Sequence, residues 1–169
     1  MLANKMDTLK ERFDQLPPEA LSLDGISILP IRDDYDLWFA TVQCRLAPGQ
    51  EDYVNPAGFS IGRAWLNPEA NIPCIIRCGT TRIGYIVLRK WTGDGATSWS
   101  YYLDKDWQGQ GYGKTAARLA AKILKSAMPE LPVKLSAEKE NTKAHRLYKS
   151  VGFFLTDETD GDDLVFRYE

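Results

Sequence analysis

The sequence predicts a single α/β domain in which a mixed, mainly antiparallel β-sheet carries helices on both faces. The chain has 169 residues, 44% of them hydrophobic, which suffices for one domain with a proper core but not for two of ordinary size. β-rich runs alternate with helical spacings in the order β-α-α-β-β-β-α-β-α-β-β. Three consecutive strands followed by helix–strand units predict a mixed sheet. We place this domain at residues 24–169, after an N-terminal helical appendage at 1–23.

The appendage is predicted to be one short helix. Residues 8–11 have capping-box spacing, and Leu9, Phe13 and Leu16 recur at helical intervals before the two prolines at 17–18 end the helix. This apolar stripe fits either the domain itself or a second subunit. A homodimer is therefore among the expected assemblies.

The first half of the domain is predicted to contain one strand and two helices. Residues 25–31 alternate as a strand does, and residues 37–46 show helical spacing that ends at Pro48-Gly49. A loop over 50–56 then leads to a second short helix near 60–67.

The second half is predicted to contain the meander and two helix–strand units. Strands at 72–78 and 83–91 flank a turn at 79–81, and a turn at 93–95 leads to a strand at 97–103. The remaining elements are a helix at 111–128, a strand at 133–137, a helix at 141–151, and strands at 153–156 and 164–168 joined by a turn at 160–162.

Charge and composition exclude several classes of protein. Lys+Arg total 21 against 23 Asp+Glu, a net charge of −2, so there is no basic excess that would indicate nucleic acid as the main partner. The first seven residues lack the apolar core of a signal peptide, and no run approaches the ~18 apolar residues of a membrane span. A cytoplasmic protein without a membrane partner is expected.

The cysteines and the histidine do not form a metal motif. Cys44, Cys74 and Cys78 lie in apolar segments, and the one histidine, His145, is distant in sequence. Two thiolates and a remote imidazole make a poor zinc site. We expect buried free thiols and no metal.

A glycine-rich loop between a strand and an alanine-rich helix predicts a phosphate site. The pattern is Gln-x-x-Gly-x-Gly over residues 108–113, and its glycines let the backbone approach a pyrophosphate at the positive end of the helix. A dinucleotide fingerprint would need glycine where Lys114 stands, and a Walker loop would need glycine at Gln108. The alternative is an ordinary strand-to-helix turn, which does not need three glycines.

A second motif follows about thirty residues later. Asn141, Ala144, Leu147 and Tyr148 are followed by Gly152-Phe153. Taken singly, Asn141 is also a good helix N-cap, and Tyr148 also fits the edge of an apolar helix face.

These two motifs, at this separation, resemble both hallmark segments of the GNAT family of N-acetyltransferases. The resemblance covers residues 97–168 well, and the element order extends it to about residue 25. It implies a GNAT-like fold and acetyl-CoA as the acetyl donor. Residues 101–114 look like the bacterial diamine and polyamine (spermine/spermidine) acetyltransferase branch, as does the 50–56 loop more weakly.

The resemblance also implies roles for individual residues. Leu103 would offer backbone groups to the pantetheine arm, Asn141 would contact the cofactor near that arm, and Tyr148 would face the sulfur as the catalytic acid. The CoA pyrophosphate would be held by the loop residues Gln108, Gly109, Gln110, Gly111, Tyr112, Gly113 and Lys114.

Acetyl transfer to an amine also needs a base. An alkylamine has a pKa of about 10.4, so a carboxylate or a water chain must remove its proton at neutral pH. Several family members carry a glutamate on the strand before the glycine loop, but residues 97–102 contain no acid. Glu51 and Asp52 are the remaining candidates for the base, since their loop leads into the second helix, where folds of this family usually place the acceptor. A solvated turn is the alternative interpretation of both.

The sequence is therefore consistent with three functions. The first is an N-acetyltransferase whose acceptor is a diamine or polyamine such as spermidine. The second keeps the chemistry and changes the small-molecule acceptor to another amine, an antibiotic or amino acid, or to a protein N-terminus. The third is a CoA-binding module without transfer activity.

Overall fold

The computed structural model describes residues 8–91, 93 and 95–169, and it shows one eight-stranded sheet with helices on both faces. The strands are β1 (Ser22–Leu23), β2 (Ile26–Pro30), β3 (Asn71–Cys78), β4 (Thr81–Lys90), β5 (Thr97–Leu103), β6 (Val133–Ala137), β7 (Phe154–Asp160) and β8 (Asp163–Tyr168). The helices are α1 (Leu9–Asp14), α2 (Asp34–Trp38), α3 (Ala57–Leu66), α4 (Tyr112–Ala127) and α5 (Thr142–Val151). A π-helical segment, Phe39–Gln43, continues α2.

The sheet is mixed and mainly antiparallel, as the sequence predicts. Its strand order is β1-β2-β3-β4-β5-β6-β8-β7, and every neighbouring pair is antiparallel except β5 with β6. That parallel pair registers only at Thr97 and Val133, so the two strands diverge towards Leu103 and Ala137. The divergence leaves a wedge between β5 and β6, which we call the β5–β6 wedge.

Each face of the sheet has its own apolar cluster. One face packs against α4, whose alanine-rich stripe is buried from Ala116 to Ala127. The opposite face carries a smaller cluster in which Phe39 and Ala57 from the helical segments meet Ile75, Tyr85 and Val87. Alternation along β4 accounts for this division, since Ile86 and Leu88 lie on the α4 face while Tyr85 and Val87 lie on the other.

The N-terminal helix packs on the domain. Thr8 forms the predicted capping box with Glu11, and Leu9 and Phe13 are buried in the cluster beneath α4. Arg12 bonds the Glu130 carboxylate at 2.8 Å. The helix therefore packs on its own domain, one of the two packing partners that the sequence left open. The domain boundary at residue 23 and a homodimer stay predictions.

The boundaries differ from those predicted most clearly at α3, at the end of α2, at β7 and at β1. The second predicted helix starts at Ala57, directly after its N-cap residue Pro56, and not near residue 60. The helix predicted to run to Leu46 ends in the π-helical segment at Gln43. β7 extends to Asp160, beyond the predicted end at residue 156; its outer half is polar and exposed, so the sequence shows no hydrophobic alternation there. β1 was not predicted, because a strand of two residues is too short to show a pattern. The predicted 93–95 turn contains Asp94, which lies outside the described residues.

A buried carboxylate connects α2 to the sheet. Asp36 is 0% exposed, and it accepts hydrogen bonds from Arg77 of β3 at 2.6 Å and from Arg82 of β4 at 2.7 Å. Burial alone would raise the pKa of Asp36, but the Arg82 hydrogen bond and the Arg77 charge outweigh it and lower that pKa. The carboxylate therefore stays ionised and neutralises Arg77, which is itself buried.

Asp36→Asn is expected to lower the free energy of unfolding by about 3–5 kcal/mol, because it leaves the Arg77 charge buried without its partner. Urea denaturation measures this change. Asp34→Asn, at an exposed position in the same helix, should change stability by no more than about 0.5 kcal/mol. Equal effects of the two substitutions would mean that the ion pair contributes nothing specific.

Candidate active site

The β5–β6 wedge and the start of α4 form one continuous site. β5 ends at Leu103, a one-turn 3-10 helix follows at Lys105–Trp107, and the glycine loop then leads into α4. The start of α4 is therefore next to the open end of the wedge. An extended ligand can add its backbone-like groups to the unpaired edge of a strand in such an opening.

The glycine loop presents uncapped N–H groups. Gly109 and Gly111 have φ values of +74° and +91°, a left-handed conformation that favours glycine. Gly111 is the N-cap residue of α4 but has no side chain to cap it, so the N–H groups that follow it have no side-chain partner. A Cβ built on Gly111 meets no atom within 4 Å, so the space beside it is open. This geometry suits a phosphate group.

The side chain of Gln108 is used inside the protein. Its Nε2 donates to the Leu103 carbonyl at 2.9 Å and to Gln50 Oε1 at 2.8 Å, and Gln50 Nε2 donates back to Gln108 Oε1 at 2.9 Å. Only the backbone of Gln108 remains for a ligand, and the Leu103 carbonyl already has a partner. Gln50 is a site residue that the sequence does not reveal, because nothing local connects two glutamines 58 residues apart.

Other loop residues pack on each other. Gln110 donates from Nε2 to the Asp106 carbonyl at 3.1 Å, and the Tyr112 ring lies 5.6 Å from that of Trp107. Lys114 is exposed at the start of α4. These contacts stiffen the loop around its two left-handed glycines, so its N–H groups are held in place before a ligand arrives.

Tyr148 lies on α5 in an aromatic cluster. Its ring centroid is 5.9 Å from Phe153 and 5.4 Å from Phe166. Burial raises the pKa of Tyr148 to about 12. Among the described residues the hydroxyl has no hydrogen-bond partner, and it is not a fully buried polar atom. It is therefore a protonated donor available to a ligand.

Tyr101 connects Tyr148 to the glycine loop. The Tyr101 hydroxyl donates to the Gly113 carbonyl at 3.0 Å, and burial together with the nearby Tyr148 raises the pKa of Tyr101. The two phenols are thus close to each other and to the start of α4. The two motifs singled out in the sequence meet in this region of the fold.

Asn141 is the N-cap of α5. Its Oδ1 accepts from the Ala144 N–H at 3.2 Å, and Gly152, with φ of +114°, ends the helix. The structural role of Asn141 is thereby accounted for, and its contact with a cofactor stays a prediction.

Glu51 and Asp52 are exposed on a 3-10 turn beside the loop. The preceding residue, Gln50, holds this turn to Gln108, and Glu51 accepts from the Gly49 N–H at 2.9 Å. A second connection joins the same region, since the Arg45 N–H donates to Asp104 at 2.9 Å. Among the described residues Asp36 is the buried acid, and two arginines already bond it. A base would therefore come from exposed carboxylates or water.

Cysteine and histidine side chains serve packing. Cys74 is buried, Cys44 and Cys78 are partly buried, and none of the three forms a disulfide. His145 bonds the Glu138 carbonyl at 2.9 Å and packs on Phe166. The described part of the chain holds no group of three or more His, Cys, Asp or Glu side chains arranged to bind a metal. It also holds no helix that combines the length and apolar character of a membrane span.

Comparison with known proteins places this site in context. The model of the acetyltransferase (GNAT) family matches residues 36–153. No curated protein matches the sequence. Among solved structures, an acetyltransferase from Agrobacterium tumefaciens is similar at 17% identity and a TM-score of 0.65, covering 88% of this chain and 93% of that one.

Two further solved structures differ in the acceptor that their names state. Spermidine N-acetyltransferase from Vibrio cholerae, in complex with CoA and spermine, is similar at 17% identity and a TM-score of 0.64, covering 86% of this chain and 94% of that one. Ribosomal-protein-S5-alanine acetyltransferase from Vibrio fischeri is similar at 13% identity and a TM-score of 0.66, covering 87% and 94%. At these identities the likeness extends to the fold alone.

Proposed function

The chain belongs to the acetyltransferase (GNAT) family, and we propose that it transfers the acetyl group of acetyl-CoA to a primary amine. The observation that carries this proposal is the uncapped, glycine-led start of α4 beside the β5–β6 wedge. A module that binds CoA without transferring an acetyl group would need only these two features. The protonated, unpartnered hydroxyl of Tyr148 favours transfer over binding without chemistry.

The loop residues fit the charge of CoA. Residues 108–115 include no acid and one base, Lys114, so nothing there opposes a pyrophosphate. The N–H groups of Gly113 and Lys114, with the positive end of the α4 dipole, would hold it. Acetyl-CoA supplies a thioester whose carbonyl carbon accepts the amine and whose thiolate leaves.

Tyr148 would act by donating a hydrogen bond to the sulfur. The pKa of a thiol like that of cysteine is about 8.5, whereas burial raises that of Tyr148 to about 12. Complete proton transfer from the phenol to the thiolate is therefore uphill. Donation without transfer stabilises the negative charge as it develops, which is when the stabilisation lowers the barrier.

For the acceptor, the sequence favours a diamine or polyamine. We propose Glu51 and Asp52 as the groups that attract its ammonium charges, since their turn is held to the cofactor loop through Gln50 and Gln108. An amino acid or protein N-terminus is the second candidate. The cytoplasmic location also stays a prediction.

If Glu51 and Asp52 contact a polyamine, the Michaelis constant for spermidine should rise with ionic strength, because salt screens exposed charges. Glu51→Gln and Asp52→Asn should each raise it about twofold to fivefold while leaving acetyl-CoA affinity unchanged. Steady-state kinetics with thiol detection measure both. Glu19→Gln removes an exposed acid elsewhere and should have no effect. Identical behaviour of all three variants would make Glu51 and Asp52 solvated turn residues.

The test of the proposed function is an acceptor screen with thiol detection. Purified protein and acetyl-CoA are mixed with polyamines, aminoglycosides, amino acids and short peptides. Thiol release that depends on one of these amines supports transfer. Tight CoA binding without release, for every amine, would leave a binding module.

A further inference from the structure

Two arginines on the sheet face opposite α4 have no acidic partner in the described part of the chain. Arg89 lies near the end of β4, and no described residue bonds its buried Nε; its guanidinium carbon lies 5.1 Å from the centroid of the Trp91 ring. Arg63 of α3 is close enough that its charge acts with burial to lower the pKa of Arg89. Among the described residues neither arginine forms an ion pair.

Arg77 provides a comparison. Its Nε also lacks a hydrogen-bond partner among the described residues, but this buried arginine has Asp36 at 2.6 Å to neutralise its charge. A buried polar group without a partner costs free energy, and a buried charge costs more. The partly buried Arg89 has no such acid among the described residues, as expected where a ligand supplies the missing partner.

Ser98 lies beside Arg89 on the same face. The two residues are cross-strand neighbours in the β4–β5 register. Ser98 is 5% exposed, and among the described residues its hydroxyl has no hydrogen-bond partner. It lines an open groove of about 310 Å³ together with Trp91, Lys134, Glu158 and Asp160. Because Lys134 is paired with Glu158 at 2.7 Å, the positive charge open to a carboxylate comes from Arg89 and Arg63 and not from this lysine.

Arg89, Arg63 and Ser98 form a basic corner at the closed end of the β5–β6 wedge. Ser98 directly follows Thr97, the residue at which β5 pairs with β6. With a rise of about 3.3 Å per residue, Ser98 is roughly 16 Å along β5 from Leu103, where the glycine loop is attached. An acceptor in the wedge could thus reach the basic corner with its far end while its amine lies nearer the thioester.

We propose that Arg89, assisted by Ser98 and Arg63, binds a carboxylate of the acceptor, so that the substrate is a primary amine that also carries a carboxylate. An arginine fork accepts a carboxylate through two parallel hydrogen bonds, and the Ser98 hydroxyl adds a third. A polyamine has no carboxylate for Arg89 to bind. The inference rests on the proposed transfer to an amine, and it favours the second acceptor candidate, an amino acid or an acidic peptide, over the polyamine.

The first experiment compares acceptors that differ in one group. Thiol release is measured with 6-aminohexanoate, hexylamine and 1,6-diaminohexane, and with the amidated dipeptides Ala-Glu and Ala-Gln. We expect kcat/KM to be at least about tenfold higher for the carboxylate member of a set. A preference for 6-aminohexanoate over hexylamine and 1,6-diaminohexane indicates a small amino acid as acceptor. A preference for Ala-Glu over Ala-Gln indicates an acidic peptide. Equal rates in both sets, or preference for the diamine, would overturn the proposal and leave amine transfer intact.

The second experiment removes the arginine. Arg89→Met should abolish the preference for the carboxylate and leave the hexylamine rate unchanged, while Lys122→Met, on exposed α4 surface, should alter neither. Because Arg89 has no ionic partner to lose, the midpoint of thermal unfolding should not fall. A fall in stability with an unchanged preference would make Arg89 structural.

A binding measurement keeps the site testable without catalysis. Calorimetric titration with 6-acetamidohexanoate should show binding to the wild-type protein and about tenfold weaker binding to Arg89→Met. If no amine releases thiol but this difference is present, the proposed transfer fails and the carboxylate site stands. If the two proteins bind the compound equally, the carboxylate site is wrong.

Discussion

Gly111→Val is expected to weaken the binding of CoA and acetyl-CoA at least about a hundredfold. Valine is strained at the left-handed φ of +91° and would project into the open space beside the loop, where we place the pyrophosphate. Losing two charge-assisted hydrogen bonds accounts for a factor of that size. Calorimetric titration of the folded variant with CoA measures the change.

Gly161 provides a matched control. It also has a positive φ, +60°, with no atom within 4 Å of an added Cβ, but it lies in the β7–β8 turn. Gly161→Val should therefore cost similar backbone strain and leave CoA affinity unchanged. If both variants bind CoA like the wild type, the glycine loop is an ordinary strand-to-helix turn.

Tyr148→Phe is expected to lower kcat by about a hundredfold or more with little change in acetyl-CoA affinity, because the hydroxyl acts mainly in the transition state. The hydroxyl has no partner among the described residues, so its removal breaks no hydrogen bond of the described fold. Single-turnover kinetics separate the chemical step from binding. Near-normal turnover would leave Tyr148 as a core residue.

The pH dependence gives an independent reading of the same residue. Since burial raises the pKa of Tyr148 to about 12, the hydroxyl is protonated below that pH and lost as a donor only above it. The rate should therefore rise from neutral pH towards pH 10 as the amine loses its proton, with no descending limb from Tyr148. Tyr168→Phe changes a tyrosine of the same aromatic cluster and should preserve both rate and profile. A decrease in rate that begins below pH 10 in the wild-type protein and is absent in Tyr148→Phe would contradict the raised pKa.

Much of the fold could be predicted because its signals are local. The turn at Gly79-Thr80, the alternation of β3 and β4 and the capping box at Thr8 each depend on residues a few positions apart. The glycine loop and the Asn141 cap are local too. Boundaries that depend on burial rather than pattern, such as the polar half of β7, were outside the reach of such signals.

The sequence by itself determined the order of the elements, the family resemblance and the position of the glycine loop and Tyr148 along the chain. Only the tertiary structure decided which distant residues lie together: Gln50 with Gln108, Tyr101 with the loop, and Arg89 with Ser98. Periodicity specifies that a face is apolar or polar, but it does not specify which residue of another element lies opposite. That pairing depends on strand register and helix packing, which the whole core determines together.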